Sequence, residues 1–531
     1  MKRLIILLFC VSFLPARAVI QPSGIFTDGT ILQQGEPVRI WGTADPKEVV
    51  TVQFAGQEKS SVTDNRGRWM VTLDPLPASS DPRDLVFISS IGNRQSKIGN
   101  VVVGEVWLAG GQSNMARPMD TFTKTTQSDI DSANDPLLRM VTIPQEAYVG
   151  AKKGEKPVWQ QTTRQTVQGF SATAYYFARD LRKTLKVPVG IIVCAVGGSP
   201  AEAWMSRETL SSDPLMSRVL ENYKKLYRLN FPTDADYKEY VEEIYPQQMR
   251  ASWEKKKTGV TPNPQPKWEM GPRHYQRPCG LHEVMLTQTI PYTIRGAIWY
   301  QGENNANTMS GWHYRQVLTA LISEWRSEFR NPELPFLFAQ LATYGLPQDK
   351  SAGWQELRES QRLVEQDVPN TGMAVLVDGG EQKDIHPHSK DKAGHRLALL
   401  AREMVYGEKD LICRGPRLLG KKQVGKKLML TFSDIGSGLV LKPEAISAFE
   451  VCGSDGNFVP AQAELKGNDT VIVSSAEVSG PQDVRYGWRK WFVPTLYNKE
   501  GLPASPFRTD DQPMQSEGNV YFDAKLALMK K

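Results

Sequence analysis

The chain has 531 residues, of which 40% are hydrophobic and 23% are charged. This length exceeds what a single hydrophobic core holds, and this composition is typical of a soluble globular protein rather than a disordered one. The formal net charge is +6, and acidic and basic residues are mixed throughout the chain, so we predict no nucleic-acid-binding surface.

The first 18 residues have the pattern of a secretory signal peptide. Lys2 and Arg3 precede an apolar stretch at residues 4–14, and Ala-Arg-Ala at 16–18 offers a cleavage site. This stretch is too short to anchor the chain in a bilayer, and no later segment is long and apolar enough to span one. Loss of Lys2, Arg3 and Arg17 lowers the net charge from +6 to +3. We expect an exported protein, periplasmic or extracellular, with no membrane span.

Residues 19–100 are predicted to form an N-terminal β-sandwich. Short strand-like runs recur at regular intervals, and turn residues such as Asp-Asn-Arg-Gly at 64–67 separate them. The runs occupy residues 38–41, 49–54, 69–73 and 85–88. Nothing in this region suggests catalysis, so we expect it to serve packing or carbohydrate contact.

Residues 101–412 alternate predicted strands with predicted helices. Such alternation, with strands that are apolar throughout, is typical of a parallel sheet with helices on both faces. The predicted strands end at residues 108, 196, 300, 341 and 377. Amphipathic helices are predicted after the N-cap Ser171, from Tyr314 to Trp325, and over residues 389–404. The predicted fold class is therefore α/β.

Two further regions depart from this alternation. At about residues 205–278 two charged, tyrosine-rich helical stretches lead into a proline-rich return at 261–266. We interpret them as a helical insertion beside Gly198, either a pocket rim or a solvated decoration. Residues 413–531 are again rich in strand-like runs and are predicted to form a C-terminal β module.

The stretch VWLAGGQSNM, residues 106–115, presents the candidate nucleophile Ser113. An apolar strand ends there in two glycines, and ligands bind at the carboxyl edge of open α/β sheets. The pattern is close to the Gly-x-Ser-x-Gly nucleophile elbow, although Met115 replaces the second glycine. A lone Gly-x-Ser is more often an ordinary turn, so the assignment depends on partners elsewhere in the chain.

Further polar residues follow other predicted strands, so we expect them to lie at the same edge of the sheet. Acyl transfer needs a nucleophile, a base, a group that orients the base, and donors for the oxyanion. Three candidate oxyanion donors are the backbone N–H of Ser113, the backbone at Gly198 and the carboxamide of Asn304.

Of six histidines, His386 is our predicted general base. It follows the strand ending at residue 377 by a short loop, and Asp384 lies two residues earlier, on the same side of an extended chain. His388 is the second choice. The other four do not combine a strand-end position with a neighbouring carboxylate: His274, His282, His313 and His395.

Other chemistries have less support. Acids and histidines alternate at residues 384–391, as in some metal sites, but no His-Glu-x-x-His motif or further ligand set accompanies them. No Gly-x-Gly-x-x-Gly or Walker A motif occurs, and no carboxylate pair with a defined separation supports a glycosidase. The cysteines past the signal peptide are scattered, and they are either disulfide-bonded or buried thiols. We predict no metal and no cofactor.

Five motifs together resemble the sialate O-acetylesterase family of the SGNH hydrolases. They are GGQSNM (110–115), VGGSPAEAW (196–204), WYQGENNA (299–306), DIHP (384–387) and LYNKEGLPASPFRTD (496–510). The resemblance implies an SGNH-hydrolase-like domain at residues 101–412. It also implies Ser113 as nucleophile, Gly198 and Asn304 as oxyanion donors, and His386 as base.

The chain departs from the family pattern in two places. The superfamily commonly has Asp three residues before its histidine, whereas Lys383 stands there and Asp384 follows it. The third catalytic member is therefore Asp384 or Asp378, or the serine and histidine form a dyad. The segment before the third strand usually reads Leu-Tyr-Asn but reads Leu-His-Glu at residues 281–283, so substrate contacts there are expected to differ.

The expected function is hydrolysis of O-acetyl esters on carbohydrate by a secreted serine esterase, with O-acetylated sialic acid as substrate. The alternatives are other acetylated polysaccharides such as xylan, or a catalytically inactive carbohydrate-binding protein. A sialoside carries a carboxylate, which arginine binds bidentately. The candidates are Arg117, Arg273 and Arg277, each of which is otherwise a solvated surface residue.

Overall fold

The structure, a computed structural model, describes residues 20–529 except 93, 147–154, 259–268, 347–348, 350 and 445–446. The predicted signal peptide at 1–18 and the proline-rich return at 261–266 lie outside the described residues and stay predictions. Across the ranges given above, no helix is both long and apolar enough to cross a bilayer.

The N-terminal region consists of β-strands, as the sequence predicts. They are β1 (Gln21–Pro22), β2 (Ile31–Gln33), β3 (Val38–Thr43), β4 (Val49–Phe54), β5 (Gln57–Val62), β6 (Arg68–Leu73) and β7 (Ser79–Ser89). One sheet has the order β1-β3-β6, and β4 pairs with β5 and β7 in a second sheet. Alternate side chains of β4 are buried, because one face of the strand packs on the core.

The strand β8 (Gln95–Gly111) connects this region to the central sheet. Its first part pairs antiparallel with β7, and its second part pairs with parallel strands. The strand therefore crosses residue 100, where the sequence predicts a module boundary. As a result, one 11-stranded mixed sheet runs through both regions.

The central strands follow β8 along the chain. They are β9 (Asn134–Thr142), β10 (Gln160–Thr163), β11 (Val189–Ala195), β12 (Gly296–Tyr300), β13 (Phe336–Ala339) and β14 (Thr371–Ala374). Their order is β10-β9-β11-β8-β12-β13-β14, and all neighbours from β9 to β14 are parallel. The predicted α/β class is confirmed.

The described α-helices cover both faces of this sheet or lie in the helical insertion and the C-terminal segment. They are α1 (Ser113–Ala116), α2 (Thr123–Ser132), α3 (Ala172–Leu185), α4 (Arg207–Ser211), α5 (Pro214–Asn230), α6 (Asp234–Glu239), α7 (Tyr245–Lys257), α8 (Gly280–Val284), α9 (Glu303–Asn307), α10 (Tyr314–Glu328), α11 (Gly353–Asp367), α12 (Lys390–Met404) and α13 (Asp523–Met529). Helices α3 and α12 pack with Trp107 on one face, and α10 and α11 pack with Trp299 on the other. The predicted N-cap Ser171 is confirmed, since its side chain accepts the N–H of Ala174.

The C-terminal region again consists of β-strands. They are β15 (Arg417–Val424), β16 (Lys427–Ser433), β17 (Leu439–Leu441), β18 (Phe449–Cys452), β19 (Val459–Pro460), β20 (Gln462–Lys466), β21 (Thr470–Ser474), β22 (Asp483–Tyr486), β23 (Leu496–Asn498) and β24 (Phe507–Arg508). After β24 the chain leaves these sheets, and α13 packs against α5 of the helical insertion. The sequence does not predict the contact between α13 and α5, because its pattern indicates a β module over all of residues 413–531.

The four described cysteines are buried and form no disulfide: Cys194, Cys279, Cys413 and Cys452. Of the two alternatives left by the sequence, the structure has buried thiols. Burial raises the pKa of Cys279 to about 12 and that of Cys413 to about 11. These thiols are therefore protonated and unreactive at neutral pH.

The strand order locates a binding crevice. Counting only β11, β8, β12, β13 and β14, the order is 2-1-3-4-5, as in flavodoxin-like doubly wound sheets. After β8 the chain first builds strands on one side and then crosses to β12 on the other. Ligands in such sheets bind beyond the carboxyl ends of the strands where this reversal occurs. The expected crevice therefore lies beyond Gly111 and Tyr300, the last residues of β8 and β12.

Candidate active site

Ser113 lies at this crevice as the first residue of α1. The turn before it requires glycine, because Gly111 has a φ of +134° and a Cβ there would lie 2.2 Å from the Tyr300 carbonyl oxygen. The first N–H groups of a helix have no intrahelical acceptor. Among the described residues the Ser113 N–H finds no other partner, so it is available to a ligand.

His386 contacts the candidate nucleophile. Its Nε2 lies 2.9 Å from Ser113 Oγ, which is hydrogen-bonding distance. The second choice, His388, lies elsewhere, with its Nδ1 2.8 Å from Glu381 Oε1. All six histidines are described, and His386 is the one that contacts Ser113. The structure thus brings the predicted serine and the predicted base together.

The two candidate carboxylates differ in their contacts. Asp384 Oδ1 accepts the backbone N–H of His386 at 2.8 Å, but it lies 3.5 Å from His386 Nδ1. That distance exceeds the roughly 2.7–3.2 Å of an N–H···O hydrogen bond. Asp378 is held by Arg396, with N–O distances of 2.5 and 2.8 Å, and does not contact His386. Asp384 therefore fixes the loop backbone and lies beside the imidazole without a direct hydrogen bond to it.

The surroundings of His386 favour a neutral ring. Burial lowers its pKa, the positive charges of Arg117 and Lys390 lower it further, and Asp384 acts in the opposite direction. A general base must be unprotonated to accept a proton. The lowered pKa keeps the Nε2 lone pair available to the Ser113 hydroxyl at neutral pH.

Gly198 and Asn304 lie next to each other at the same crevice. The Asn304 amide nitrogen, Nδ2, donates to the Gly198 carbonyl, and its Oδ1 accepts the Tyr521 hydroxyl at 2.7 Å. A Cβ at Gly197 would lie 3.5 Å from Ser113 Cβ, so this loop passes beside the nucleophile. Within the described part of the chain, the Gly198 N–H has no hydrogen-bond partner. The Gly198 N–H and the Asn304 amide, two of the predicted oxyanion donors, therefore lie together in a loop region that passes beside Ser113.

A buried polar network adjoins these residues, and no sequence pattern predicts it. Asn114 donates to Glu303 and to the Ile385 carbonyl, and its Oδ1 accepts from Lys390 Nζ. Lys390 is 1% exposed, and burial lowers its pKa to about 7 and raises the pKa of Glu303. Because Ile385 directly precedes His386, this network fixes the base relative to α1. The one sequence feature that points to Asn114 is its position in the GGQSNM motif at residues 110–115.

One described cluster has side chains close enough together to hold a metal ion: His282, Glu324 and Glu328 on α8 and α10. His282 Nε2 lies 2.7 Å from Glu328 Oε1, so a hydrogen-bonded pair accounts for this contact. The alternating acids and histidines at residues 384–391 do not form such a cluster in the described ranges.

The three candidate carboxylate-binding arginines occupy different environments. Arg117 is half-buried, and its charge is close enough to lower the pKa of His386. Arg277 forms an ion pair with Glu283 at 2.6 Å. The Arg273 backbone N–H donates to the Tyr237 hydroxyl at 3.0 Å. Of the three, Arg117 is the one with an electrostatic effect on the candidate base.

Comparisons with known proteins agree in the type of enzyme. The family model for "Carbohydrate esterase, sialic acid-specific acetylesterase" matches residues 103–230 and 258–405. The sialate O-acetylesterase from Rattus norvegicus is 28% identical to this chain, and the match covers 91% of this chain and 93% of that protein. The sialate O-acetylesterase from Homo sapiens is 25% identical, and the match covers 91% of each protein. The crystal structure of a carbohydrate acetylesterase from Xanthomonas citri is 32% identical, with a TM-score of 0.75, over 93% of this chain and 100% of that one.

Proposed function

Since this chain belongs to the sialic acid-specific acetylesterase family of carbohydrate esterases, we propose that it works as a serine esterase through an acetyl-enzyme. Its relatives and its family show that it is a carboxylic ester hydrolase. The observation that carries the proposal is the 2.9 Å contact between Ser113 Oγ and His386 Nε2, at a crevice with donor groups. We further propose that the core is SGNH-hydrolase-like, which the 2-1-3-4-5 strand order supports. The signal-peptide pattern at residues 1–18 supports export.

The first half-reaction transfers the acetyl group to the enzyme. As Ser113 Oγ attacks the acetyl carbon, its proton moves to His386 Nε2 and the carbonyl oxygen becomes an oxyanion. The N–H groups of Ser113 and Gly198, together with the second N–H of the Asn304 amide, stabilise this charge. The bond to the sugar oxygen then breaks, and that oxygen leaves with the proton from His386.

The second half-reaction releases acetate. A water molecule attacks the acetyl-enzyme and gives a proton to His386 Nε2, and the same donors stabilise the second oxyanion. Cleavage of the bond to Ser113 Oγ returns the proton to the serine. The enzyme is restored, and the net reaction is hydrolysis of one ester bond.

Asn304→Ala is expected to lower kcat by roughly 10²–10³ and to change KM little, because an oxyanion donor acts mainly in the transition state. Steady-state kinetics with p-nitrophenyl acetate measure both constants. Asn307→Ala is the matched control, since Asn307 lies exposed on the same short helix and should retain wild-type kinetics. An increase in KM at unchanged kcat would assign Asn304 to sugar binding instead.

We propose O-acetylated sialic acid as the substrate, with Arg117 binding its carboxylate. Family membership and the position of Arg117 near His386 support this choice. We expect kcat/KM for an O-acetylated sialoside to exceed that for acetylated xylan. A hydrogen bond to a charged group contributes about 1.5–3 kcal/mol, so Arg117→Gln should raise KM for the sialoside roughly 10- to 100-fold.

Two controls separate carboxylate binding from a general loss of activity. Arg117→Gln should leave KM for the uncharged p-nitrophenyl acetate unchanged, and Arg277→Gln should leave sialoside kinetics unchanged because Arg277 is already paired with Glu283. Equal rates on sialoside and xylan would show that the carboxylate is not recognised. The second candidate, a general carbohydrate acetylesterase, would then apply, as the similarity to the Xanthomonas citri enzyme supports. If no ester releases acetate, the remaining interpretation is a catalytically inactive carbohydrate-binding protein.

A further inference from the structure

We propose that residues 516–529, which follow the last strand of the C-terminal region, position the oxyanion hole and that Tyr521 orients Asn304. Tyr521 is a positioning residue in this proposal, because it contacts Asn304 and not the reacting atoms. The inference rests on the proposed role of Asn304 as an oxyanion donor. It assigns a function to a segment that carries none of the family motifs identified in the sequence.

The contacts of Asn304 determine which way its amide faces. The Gly198 carbonyl can only accept, so the amide nitrogen must be the atom that meets it. Oδ1 then faces Tyr521, whose hydroxyl donates to it at 2.7 Å. With both ends held, one N–H of Nδ2 remains for a ligand. Without the Tyr521 hydroxyl, nothing described holds Oδ1, and the hydrogen bond to the Gly198 carbonyl is left to orient the amide.

Tyr521 is suited to this role by its burial. Its side chain is 0% exposed and packs in an apolar cluster with Val219, Tyr223 and Phe522. Burial raises the pKa of Tyr521 well above its ordinary value, so the hydroxyl stays protonated and can only donate to Oδ1. A buried hydroxyl needs a hydrogen-bond partner, and Asn304 is that partner.

The same segment also supports the Gly198 carbonyl through a second side-chain amide. Lys525 Nζ donates to Gln276 Oε1 at 2.9 Å, and Gln276 Nε2 donates to the Gly198 carbonyl at 2.8 Å. The Gly198 carbonyl therefore accepts two N–H groups, and each belongs to an amide held by a residue of the C-terminal segment. These two hydrogen bonds hold the Gly198–Ser199 peptide, which directly follows the peptide that carries the Gly198 N–H.

An ion pair and hydrogen bonds anchor the segment to the catalytic region. Asp523 binds Arg218 at 2.6 Å and Asn222 at 2.7 Å, both on α5 of the helical insertion. The Ser516 N–H donates to Glu356 of α11 at 3.0 Å. The insertion thus provides the platform on which Tyr521 and Lys525 reach the site. In this arrangement the insertion supports the C-terminal segment, a role that differs from the pocket rim and the solvated decoration that the sequence suggests.

Tyr521→Phe tests the proposal, because it removes the hydroxyl and keeps the ring in its cluster. The change leaves Asn304 Oδ1 without its described donor, so we expect kcat for p-nitrophenyl acetate to fall roughly 10- to 100-fold at unchanged KM. Tyr223→Phe is the matched control. Its hydroxyl donates to the Gly271 carbonyl at 2.7 Å in the same cluster and is not bonded to Asn304, so its loss should leave kcat unchanged.

A double-mutant cycle separates positioning from general destabilisation. In the Asn304→Ala background, Tyr521→Phe should cause no further loss of kcat, because Tyr521 acts through Asn304. Losses that multiply in the double variant, or wild-type kcat in Tyr521→Phe, would overturn the inference. If Asn304→Ala alone retains wild-type kcat, the proposed oxyanion role fails first, and this inference fails with it.

Thermal unfolding shows whether Tyr521→Phe is folded at the assay temperature. If it is not, Lys525→Met tests the second contact to Gly198, since Lys525 is partly exposed and methionine keeps most of its apolar chain. We then expect kcat to fall several-fold at unchanged KM, about the effect of losing one hydrogen bond in a network. Unchanged kcat in that variant would overturn the proposal.

Discussion

Ser113→Ala is expected to lower kcat for acetyl ester hydrolysis by about a millionfold, the loss seen when a serine protease is deprived of its nucleophile. No other hydroxyl is hydrogen-bonded to His386 Nε2 in the part of the chain that the structure describes, so no substitute nucleophile is in place. The fold should be unaffected, because the only described side-chain hydrogen bond of this serine is with His386. Kinetics with p-nitrophenyl acetate and thermal unfolding measure the two effects.

A covalent probe makes this test sharper. An alkyl fluorophosphonate should add one group to the wild type, detected by mass spectrometry, and none to Ser113→Ala. Ser212→Ala provides the control, since Ser212 is an exposed serine at the end of α4 and should retain full activity and labelling. More than a few per cent residual activity in Ser113→Ala, or labelling of that variant, would contradict the assignment.

Parallel strands explain why the sequence predicts so much of this site. β11 (Val189–Ala195) is buried on both faces, and its unbroken apolar run identifies it as an inner strand. Once the strands are parallel, the residues past their carboxyl ends must share one edge of the sheet. Ser113, Gly198, Asn304 and His386 could therefore be grouped from local patterns alone.

The supporting residues could not be predicted in this way, because their contacts are remote in sequence. Tyr521 and Asn304 are 217 residues apart, and no periodic pattern links a tail residue to a strand end. Lys390 opens a helix, where a lysine is usually solvated, and only the packed structure shows it buried against Asn114. Asp384 is predicted to lie near His386 because only two positions separate them. This spacing does not determine whether the Asp384 carboxylate binds the His386 backbone N–H or its ring.

His386→Ala is expected to lower kcat as much as Ser113→Ala, about a millionfold, because the nucleophile and its base act as one unit. His388→Ala is the matched control and should have a mild effect, since His388 is bonded to Glu381. Asp384→Asn should cost less than His386→Ala, because the carboxylate lies 3.5 Å from the ring and its loss leaves the base in place. A large residual activity in His386→Ala would contradict the proposed mechanism.

The pH profile tests the state of the same histidine. Protonated His386 cannot accept the serine proton, so kcat/KM should rise with pH and level off above the His386 pKa. Burial and the charges of Arg117 and Lys390 lower this pKa, so the midpoint should lie below the ordinary value of about 6.5. Arg117→Gln removes one positive charge, which makes the imidazolium less unfavourable and should move the midpoint to higher pH. Arg277→Gln should not move it, and a wild-type midpoint above 6.5 would contradict the electrostatic account of the base.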